Sequence, residues 1–224
     1  MDTLATIEAT APLGVQLIAD LRNRIVSGRL QPGTRLSEQE IAAAYGLSRQ
    51  PVRETFIKLA AENLVEIRPQ RGTFVCKIDM NDVTQGQFVR EAVEADIARI
   101  AADRADAAAI AHLRGLIAEQ RRAKGGAGFF ALDERFHQAL AAAAGRGGVW
   151  AHIQQIKMQM DRVRHLTAEE FPTDHLIDQH EAIVEAIAAG DATAAEAAIR
   201  THLRGVLADL QKVARLQPHC FEPG

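Results

Sequence analysis

The chain has 224 residues, of which 47% are hydrophobic and 25% are charged, and its formal net charge is −3. This composition is ordinary for a folded protein with a real core, and the charge argues against a protein that coats nucleic acid without selectivity. Two widely separated cysteines argue against a disulfide framework, and no secretory leader or run of about 18 apolar residues is present, so we expect a cytoplasmic protein without a membrane partner.

The first predicted element is an amphipathic helix over residues 13–29, which ends in the breaker segment "LQPGTRL". Its apolar residues recur at the spacing of one helical face: Val15, Ile18, Leu21 and Ile25. Ser37 followed by Glu40 matches a capping box, so a short second helix is expected to follow and to stop at Gly46.

The stretch "SRQPVRETFIKL", residues 48–59, predicts a third helix with Ser48 as its N-cap. Pro51 falls within the first turn, where its missing N–H removes no helical hydrogen bond. Arg49 and Arg53 place two cations near the end at which the helix dipole favours anions. An external anion against that end would explain them.

After Leu64 the apolar period changes to two, with "VEIRP" and "TFVCKI" on either side of "QRG". This pattern predicts a two-stranded hairpin with a glycine at the turn. Three helices followed by a hairpin form a winged helix-turn-helix, whose second helix normally enters the major groove of DNA. Duplex DNA would then be the external anion that explains Arg49 and Arg53.

The predicted DNA contacts follow from this placement. Arginine can donate two hydrogen bonds to guanine, and a hydroxyl or a free backbone N–H suits a phosphate oxygen. The residues with expected contacts are Arg35, Ser48, Arg49, Arg53, Arg71 and Gly72. The alternative is that Arg49 and Arg53 are merely solvated.

The segment "PGTRLSEQEIAAAYGLSRQPVRETFIKLAAENLVEIRPQRGTFV" resembles the DNA-binding domain of the GntR family of bacterial transcription regulators. The resemblance covers about residues 13–76, and "SRQPVRE" is its most specific part. Thr55 stands where the family usually has alanine, a departure expected to affect packing more than DNA contact.

From residue 82 onward the sequence predicts helices alone. The helical patterns cover residues 82–104, 106–123, 128–144, 149–167, 175–189 and 191–216. The fold class is therefore mainly α: a winged helix-turn-helix domain over 1–76, a linker over 77–82, an antiparallel all-α bundle of about six helices over 83–216, and a tail over 217–224.

A second cluster lies in the bundle. "LDERFHQAL" places Asp133 and His137 at i and i+4 on one helical face, and His180 and His202 lie among apolar residues of two later helices. Three imidazoles and one carboxylate from three helices suit a divalent transition metal such as Zn, Ni or Mn. The alternative is that each histidine is an ordinary core or surface residue.

This half resembles the FCD-type effector domain of the FadR subgroup of that family, over about residues 82–210. The resemblance implies that Asp133, His137, His180 and His202 are metal ligands and that a small organic acid completes the coordination. It also implies that Arg90 pairs an effector carboxylate, although an ion pair with Glu94 is an equal alternative. Arg162 and Arg164 are weaker candidates, because the helical period does not decide which of them points inward.

The sequence therefore predicts a transcription regulator that performs no chemistry. It would bind a short palindromic operator as a homodimer, since one recognition helix reads too few base pairs. Two alternatives stay open: a regulator that senses the metal itself, and a metalloenzyme with a nucleic-acid-binding domain. An enzyme would need a second carboxylate over the metal, and Glu134 and Glu181 are expected to point elsewhere.

Overall fold

The fold was analysed in a computed structural model, which describes residues 13–123, 126–167 and 173–223. The described chain falls into two compact units, one formed by residues 13–79 with 216–223 and the other by residues 80–215. The first twelve residues of the predicted DNA-binding domain and the last residue of the predicted tail lie outside the described residues.

Three helices form the body of the first unit: α1 (Leu13–Val26), α2 (Glu38–Tyr45) and α3 (Arg49–Ala61). In α1 the buried face is Leu17, Leu21 and Ile25, which confirms Leu21 and Ile25 of the predicted face; Ile18 is half-buried and the prediction was wrong for Val15, which is exposed. The stripe follows the i, i+4, i+8 series because α3 packs against that side.

The predicted limits of α2 are confirmed. The Ser37 hydroxyl accepts the Glu40 N–H at 3.3 Å, which satisfies one free donor of the first turn. Gly46 ends the helix with a φ of 63°, a left-handed conformation that glycine adopts without a Cβ penalty. This short turn sets the start of α3.

A three-stranded antiparallel sheet of order β1-β3-β2 completes the wing: β1 (Arg35–Leu36), β2 (Val65–Arg68) and β3 (Gly72–Val75). The predicted hairpin is β2 and β3, with Val65 opposite Val75 and Arg68 opposite Gly72. The short strand β1, which the sequence did not predict, pairs Arg35 with Phe74. It brings Arg35 onto the wing.

The C-terminal tail belongs to the first unit. The Ile78 N–H donates to the Cys220 carbonyl at 2.9 Å, and the Glu222 N–H donates to the Ile78 carbonyl at 3.0 Å. Ile78, Cys220 and Phe221 are buried. The chain thus leaves this unit after Asp79 and returns to it at Leu216.

Helices build the whole described part of the second unit. They are α4 (Met80–Arg104), α5 (Ala107–Ala123), α6 (Gly126–Ala143), α7 (Trp150–Ile156), α8 (Met158–Thr167), α9 (Asp174–Ala188) and α10 (Ala192–Leu216). The predicted mainly α architecture is confirmed, and the predicted linker includes the first turn of α4. Within the described residues, no helix is long and apolar enough to span a membrane.

The predicted helix over 149–167 is in fact two helices that break at Lys157. The Lys157 ammonium is buried between Glu134, at 2.7 Å, and Asp161. Burial opposes ionisation of Glu134, but Lys157 outweighs it and lowers the pKa of that carboxyl. Charge pairing therefore holds the junction, which the helical period of the sequence does not reveal.

Candidate metal centre and nucleic-acid interface

The four predicted metal ligands meet inside the bundle. Asp133 and His137 lie on α6, His180 on α9 and His202 on α10, and all four are buried. One ligand atom from each lies within 4.8 Å of the others. The closest pairs are His180 Nε2 to His202 Nε2 at 3.2 Å, His202 Nε2 to His137 Nε2 at 3.3 Å, and His180 Nε2 to Asp133 Oδ1 at 3.4 Å.

Each of the three imidazoles turns its other nitrogen, Nδ1, toward an oxygen acceptor. The pairs are His137 with Glu94 Oε2 at 2.6 Å, His180 with Gln120 Oε1 at 2.8 Å, and His202 with Gln179 Oε1 at 3.0 Å. A hydrogen-bond acceptor at Nδ1 favours the tautomer that carries its proton there and leaves Nε2 as a lone pair, as at His180 and His202; the Glu94 oxygen lies close to His137 Nδ1 without hydrogen-bond geometry. Three Nε2 atoms and a carboxylate oxygen thus converge, an arrangement that a cation would stabilise.

The protonation states of the cluster suit metal binding. Burial lowers the pKa of His180 to about 3 and the pKa of His202 well below its usual value, so both imidazoles are neutral at neutral pH. Burial alone would raise the pKa of Asp133, but the Arg164 guanidinium beside it outweighs burial and holds that pKa well below its usual range.

The two carboxylate oxygens of Asp133 have different surroundings. Its Oδ2 accepts a hydrogen bond from Arg164 Nη1 at 2.7 Å, while Oδ1 has no hydrogen-bond donor among the described residues. A buried carboxylate oxygen without a donor is costly unless a cation completes it. The donor set of one carboxylate and three imidazoles therefore fits a first-row divalent ion such as Zn, Ni or Mn.

Arg90 is buried and donates through Nε to Glu94, the alternative partner that the sequence offered. Of the two later arginines, Arg164 reaches the metal cluster, where Asp133 raises its pKa against the effect of burial. Arg162 is also buried and bonds to Gln159 at 2.9 Å. The helical period could not decide which of Arg162 and Arg164 points inward, because both side chains lie inside the unit.

A second buried carboxylate lies beside the cluster, one that the sequence analysis did not single out as a candidate. Glu94 on α4 contacts His137 from the Nδ1 side, away from the converging Nε2 atoms. Glu134 and Glu181 point elsewhere as expected: Glu134 accepts the Trp150 indole N–H at 2.6 Å and Glu181 pairs with Arg121 at 2.6 Å.

At the N-terminus of α3, one acidic side chain forms ion pairs with both arginines. Glu38 on α2 lies 3.0 Å from Arg49 and 3.1 Å from Arg53. The hydrogen bond from Arg53 is the main reason that the pKa of Glu38 is lowered. Both arginine side chains stay more than half exposed, and among the described residues Ser48 makes no side-chain capping bond. These groups are available to an external anion.

The wing brings the other predicted contacts together. Gly72 has a φ of 114°, and a Cβ there would lie 3.0 Å from Arg35 Nε, so the Arg35 side chain crosses the turn where glycine leaves room. Arg71 is exposed in the same turn. Thr55, the departure from the family pattern, is buried and bonds to the Pro51 carbonyl at 2.8 Å.

Comparison with known proteins decides the family. Residues 13–75 match the model of "Bacterial regulatory proteins, gntR family", and residues 87–205 match the FCD domain. The chain belongs to the GntR family. Relatives of this GntR regulator include an uncharacterized HTH-type transcriptional regulator in an unstable DNA locus of Streptomyces ambofaciens, 39% identical over 90% of this chain and 86% of the relative. The HTH-type transcriptional repressor RspR of Escherichia coli K12 is 38% identical over 92% of both chains.

Solved structures share the fold of the GntR regulator. Escherichia coli McbR/YncC matches 91% of this chain and 99% of its own, with a TM-score of 0.76 at 20% identity. A putative GntR regulator from Rhodococcus sp. RHA1 matches 89% of this chain and 97% of its own, with a TM-score of 0.72 at 28% identity. The chain is therefore a bacterial transcriptional regulator with an FCD effector-binding domain.

Proposed function

We propose that this GntR regulator binds operator DNA under the control of a small carboxylate effector held at a metal site in its FCD domain. The observation that carries the proposal is the buried convergence of three Nε2 atoms on the Asp133 oxygen that has no hydrogen-bond donor among the described residues. The ligands would be Asp133, His137, His180 and His202. A bound divalent ion would supply Lewis acidity toward a carboxylate oxygen.

The proposed DNA contacts divide by chemistry. Arg49 and Arg53 would leave Glu38 for base edges or phosphates, since both arginine side chains are exposed near the start of α3. Ser48 would bind phosphate, and Arg35, Arg71 and Gly72 would bind the backbone or minor groove from the wing. The chain would act as a homodimer on a short palindrome, which doubles the number of base pairs read.

Arg90 is the proposed partner of the effector carboxylate. Arg90 is 1% exposed. It is connected to the cluster through Glu94, which pairs with Arg90 and contacts His137. An effector that reaches Arg90 would therefore enter the interior of the bundle. Its effect on DNA would follow from a change in the placement of the two DNA-binding units of a dimer, a coupling that must be reciprocal.

The test is a two-step titration of operator affinity. Chelator-stripped protein is titrated first with Zn²⁺, Ni²⁺ or Mn²⁺, and the metal-loaded protein is then titrated with small mono- and dicarboxylates. We expect tight metal binding with little change in operator affinity, followed by a change of at least fivefold when the right acid is added. A protein that binds none of these metals would contradict the proposal.

A second candidate function is that of a sensor of the metal itself. The deep burial of the proposed ligands favours it, since each of these residues is at most 4% exposed. In that case the metal step of the same titration would change operator affinity by itself, and carboxylates would add nothing further.

A further inference from the structure

Glu94 lies directly behind one proposed metal ligand and turns one carboxylate oxygen toward it. Oε1 accepts the Arg90 Nε–H, and Oε2 is 2.6 Å from His137 Nδ1. The Glu94 and Arg90 side chains are 2% and 1% exposed. Two buried charged side chains thus form a chain of contacts that leads from Arg90 through Glu94 to His137.

The three histidines differ in the charge of their Nδ1 partners. His180 and His202 face the neutral amide oxygens of Gln120 and Gln179, whereas His137 faces a carboxylate. A carboxylate at the outer nitrogen raises the basicity of an imidazole ligand and fixes its tautomer and ring orientation. His137 is therefore the imidazole whose metal affinity depends most on its support.

Arg90 is the counter-ion of this carboxylate. Its Nε donates to Glu94 Oε1, and both side chains are buried. Without Arg90, an ionised carboxylate in this interior would lose its ion-pair partner, at a large cost in a medium without water.

We propose that Glu94 is a positioning residue of the metal site, which orients His137 and strengthens its bond to the metal, with Arg90 as the counter-ion that holds Glu94. This inference rests on the proposed metal site and assigns the buried Arg90–Glu94 pair a role in metal affinity. A carboxylate effector at Arg90 would consequently act on the same anion that supports His137, which couples the two ligands through one side chain.

The test compares the Zn²⁺ affinity of full-length wild type with that of Glu94→Gln, measured by competition with a chromophoric chelator. Glutamine keeps an oxygen acceptor for His137 Nδ1 but removes the charge, as at His180 and His202. We expect Zn²⁺ affinity to fall about 10-fold to 100-fold, the usual effect of losing an outer partner of a metal ligand. Glu91→Gln is the matched control: Glu91 lies on the same helix and pairs with Arg200 and Arg204, and its loss should change affinity less than twofold.

A double variant, Arg90→Met with Glu94→Gln, guards against misfolding because it leaves no buried charge unpaired. It should show the same loss of Zn²⁺ affinity as Glu94→Gln. Unchanged affinity in both folded variants would overturn the role of Glu94 while leaving the proposed function standing. Failure of the wild type to bind any of Zn²⁺, Ni²⁺ and Mn²⁺ would instead overturn the proposed function itself.

A second readout needs no metal. In ¹⁵N–¹H spectra of the stripped protein, His137 should carry a proton on Nδ1 whose resonance lies downfield, because its acceptor is charged. Glu94→Gln should move this resonance upfield and leave those of His180 and His202 in place. An unprotonated Nδ1 on His137, or a resonance that Glu94→Gln leaves unchanged, would contradict the inference.

Discussion

At the scale of single residues, Glu38 explains how α3 can begin with two arginines. The carboxylate bonds to both Arg49 and Arg53, yet each arginine side chain is more than half exposed. Exposed ion pairs of this kind contribute little to stability, so the guanidinium groups can leave Glu38 for another anion at a small cost in free energy. In the proposed function, Glu38 would pair with both arginines until DNA replaces it.

Arg53→Ala should relax base preference in the operator and weaken specific binding by about tenfold to a hundredfold, the discrimination of one paired base contact. Arg35→Ala should instead weaken binding to all sequences alike and flatten its salt dependence, as expected for a phosphate contact. Fluorescence anisotropy with operator and scrambled duplexes measures both effects.

Arg114→Ala is the control for this pair, because Arg114 is a similarly exposed arginine that pairs with Glu185 in the other unit. It removes the same charge and should leave operator affinity within twofold. If Arg53→Ala behaved like this control in both affinity and base preference, the role assigned to α3 would be wrong.

Tyr45 offers a clean probe of the DNA-binding unit, since it is the chain's single tyrosine. Burial and the hydrogen bond to Asp20 raise the pKa of Tyr45 to about 12 from a usual 10.0. The folded state keeps the phenol proton longer than the unfolded state does. The stability from this group is therefore complete below pH 10 and is lost as the pH rises through about 12.

Tyrosinate absorbance during alkaline titration checks this prediction. Folded protein should ionise near pH 12 and protein in guanidinium near pH 10. Asp20→Asn should lower the folded value part of the way, because burial, the larger cause, remains. Ionisation near pH 10 in the folded wild type would refute the buried contact.

The four residues of the proposed metal site could be predicted from sequence, but the residues that contact their outer atoms could not. Asp133 and His137 are marked by i, i+4 spacing, and His180 and His202 by their apolar helical neighbours. Glu94, Gln120 and Gln179 lie on other helices or carry no periodic signal of their own. Their contacts depend on tertiary packing, which residue spacing does not encode.

At the scale of elements, helices with caps and sustained periodicity were predicted correctly, and elements set by long-range contacts were not. Ser37 and Gly46 bound α2 through local hydrogen bonds, so its limits can be read from the chain. The two-residue β1 exists because Arg35 and Leu36 pair with β3. The break at Lys157 depends on carboxylates that include Glu134 on another helix.

Two helical glycines should respond to alanine with opposite signs. A Cβ at Gly86 in α4 would lie 2.9 Å from the Ile156 carbonyl oxygen, so Gly86→Ala should force the backbone apart and destabilise the fold by about 1–3 kcal/mol. Among the described atoms a Cβ at Gly115 in α5 would meet nothing within 4 Å. Gly115→Ala should stabilise by about 0.5–1 kcal/mol.

Urea unfolding of the two variants beside wild type measures the difference. Because both residues lie in regular helix, intrinsic helix propensity cancels in the comparison and the contact with Ile156 remains. Equal stabilisation by both substitutions would show that α4 and α7 are not in this close contact.

At the scale of the whole molecule, the proposed control acts between two compact units of one chain. The metal cluster belongs to residues 80–215, and the proposed DNA contacts belong to the unit of residues 13–79 and 216–223. No single small ligand needs to touch both. Effector and DNA would then influence each other by equal factors through the assembled dimer.

A homodimer is expected both free and on DNA. Size-exclusion chromatography with light scattering should give twice the chain mass of 24.4 kDa, and two chains should bind each palindromic duplex. A stable monomer under both conditions would remove the proposed basis of palindrome recognition.

The most direct test of metal-centred control is the effector response of operator affinity in a His180→Ala, His202→Ala double variant. His112→Ala with His152→Ala is the control, since both residues are exposed in the same unit. We expect the first variant to bind no metal and to show no response to the carboxylate that shifts wild-type affinity, while a folded DNA-binding unit still binds operator. A variant that bound no metal yet kept the full carboxylate response would contradict the account.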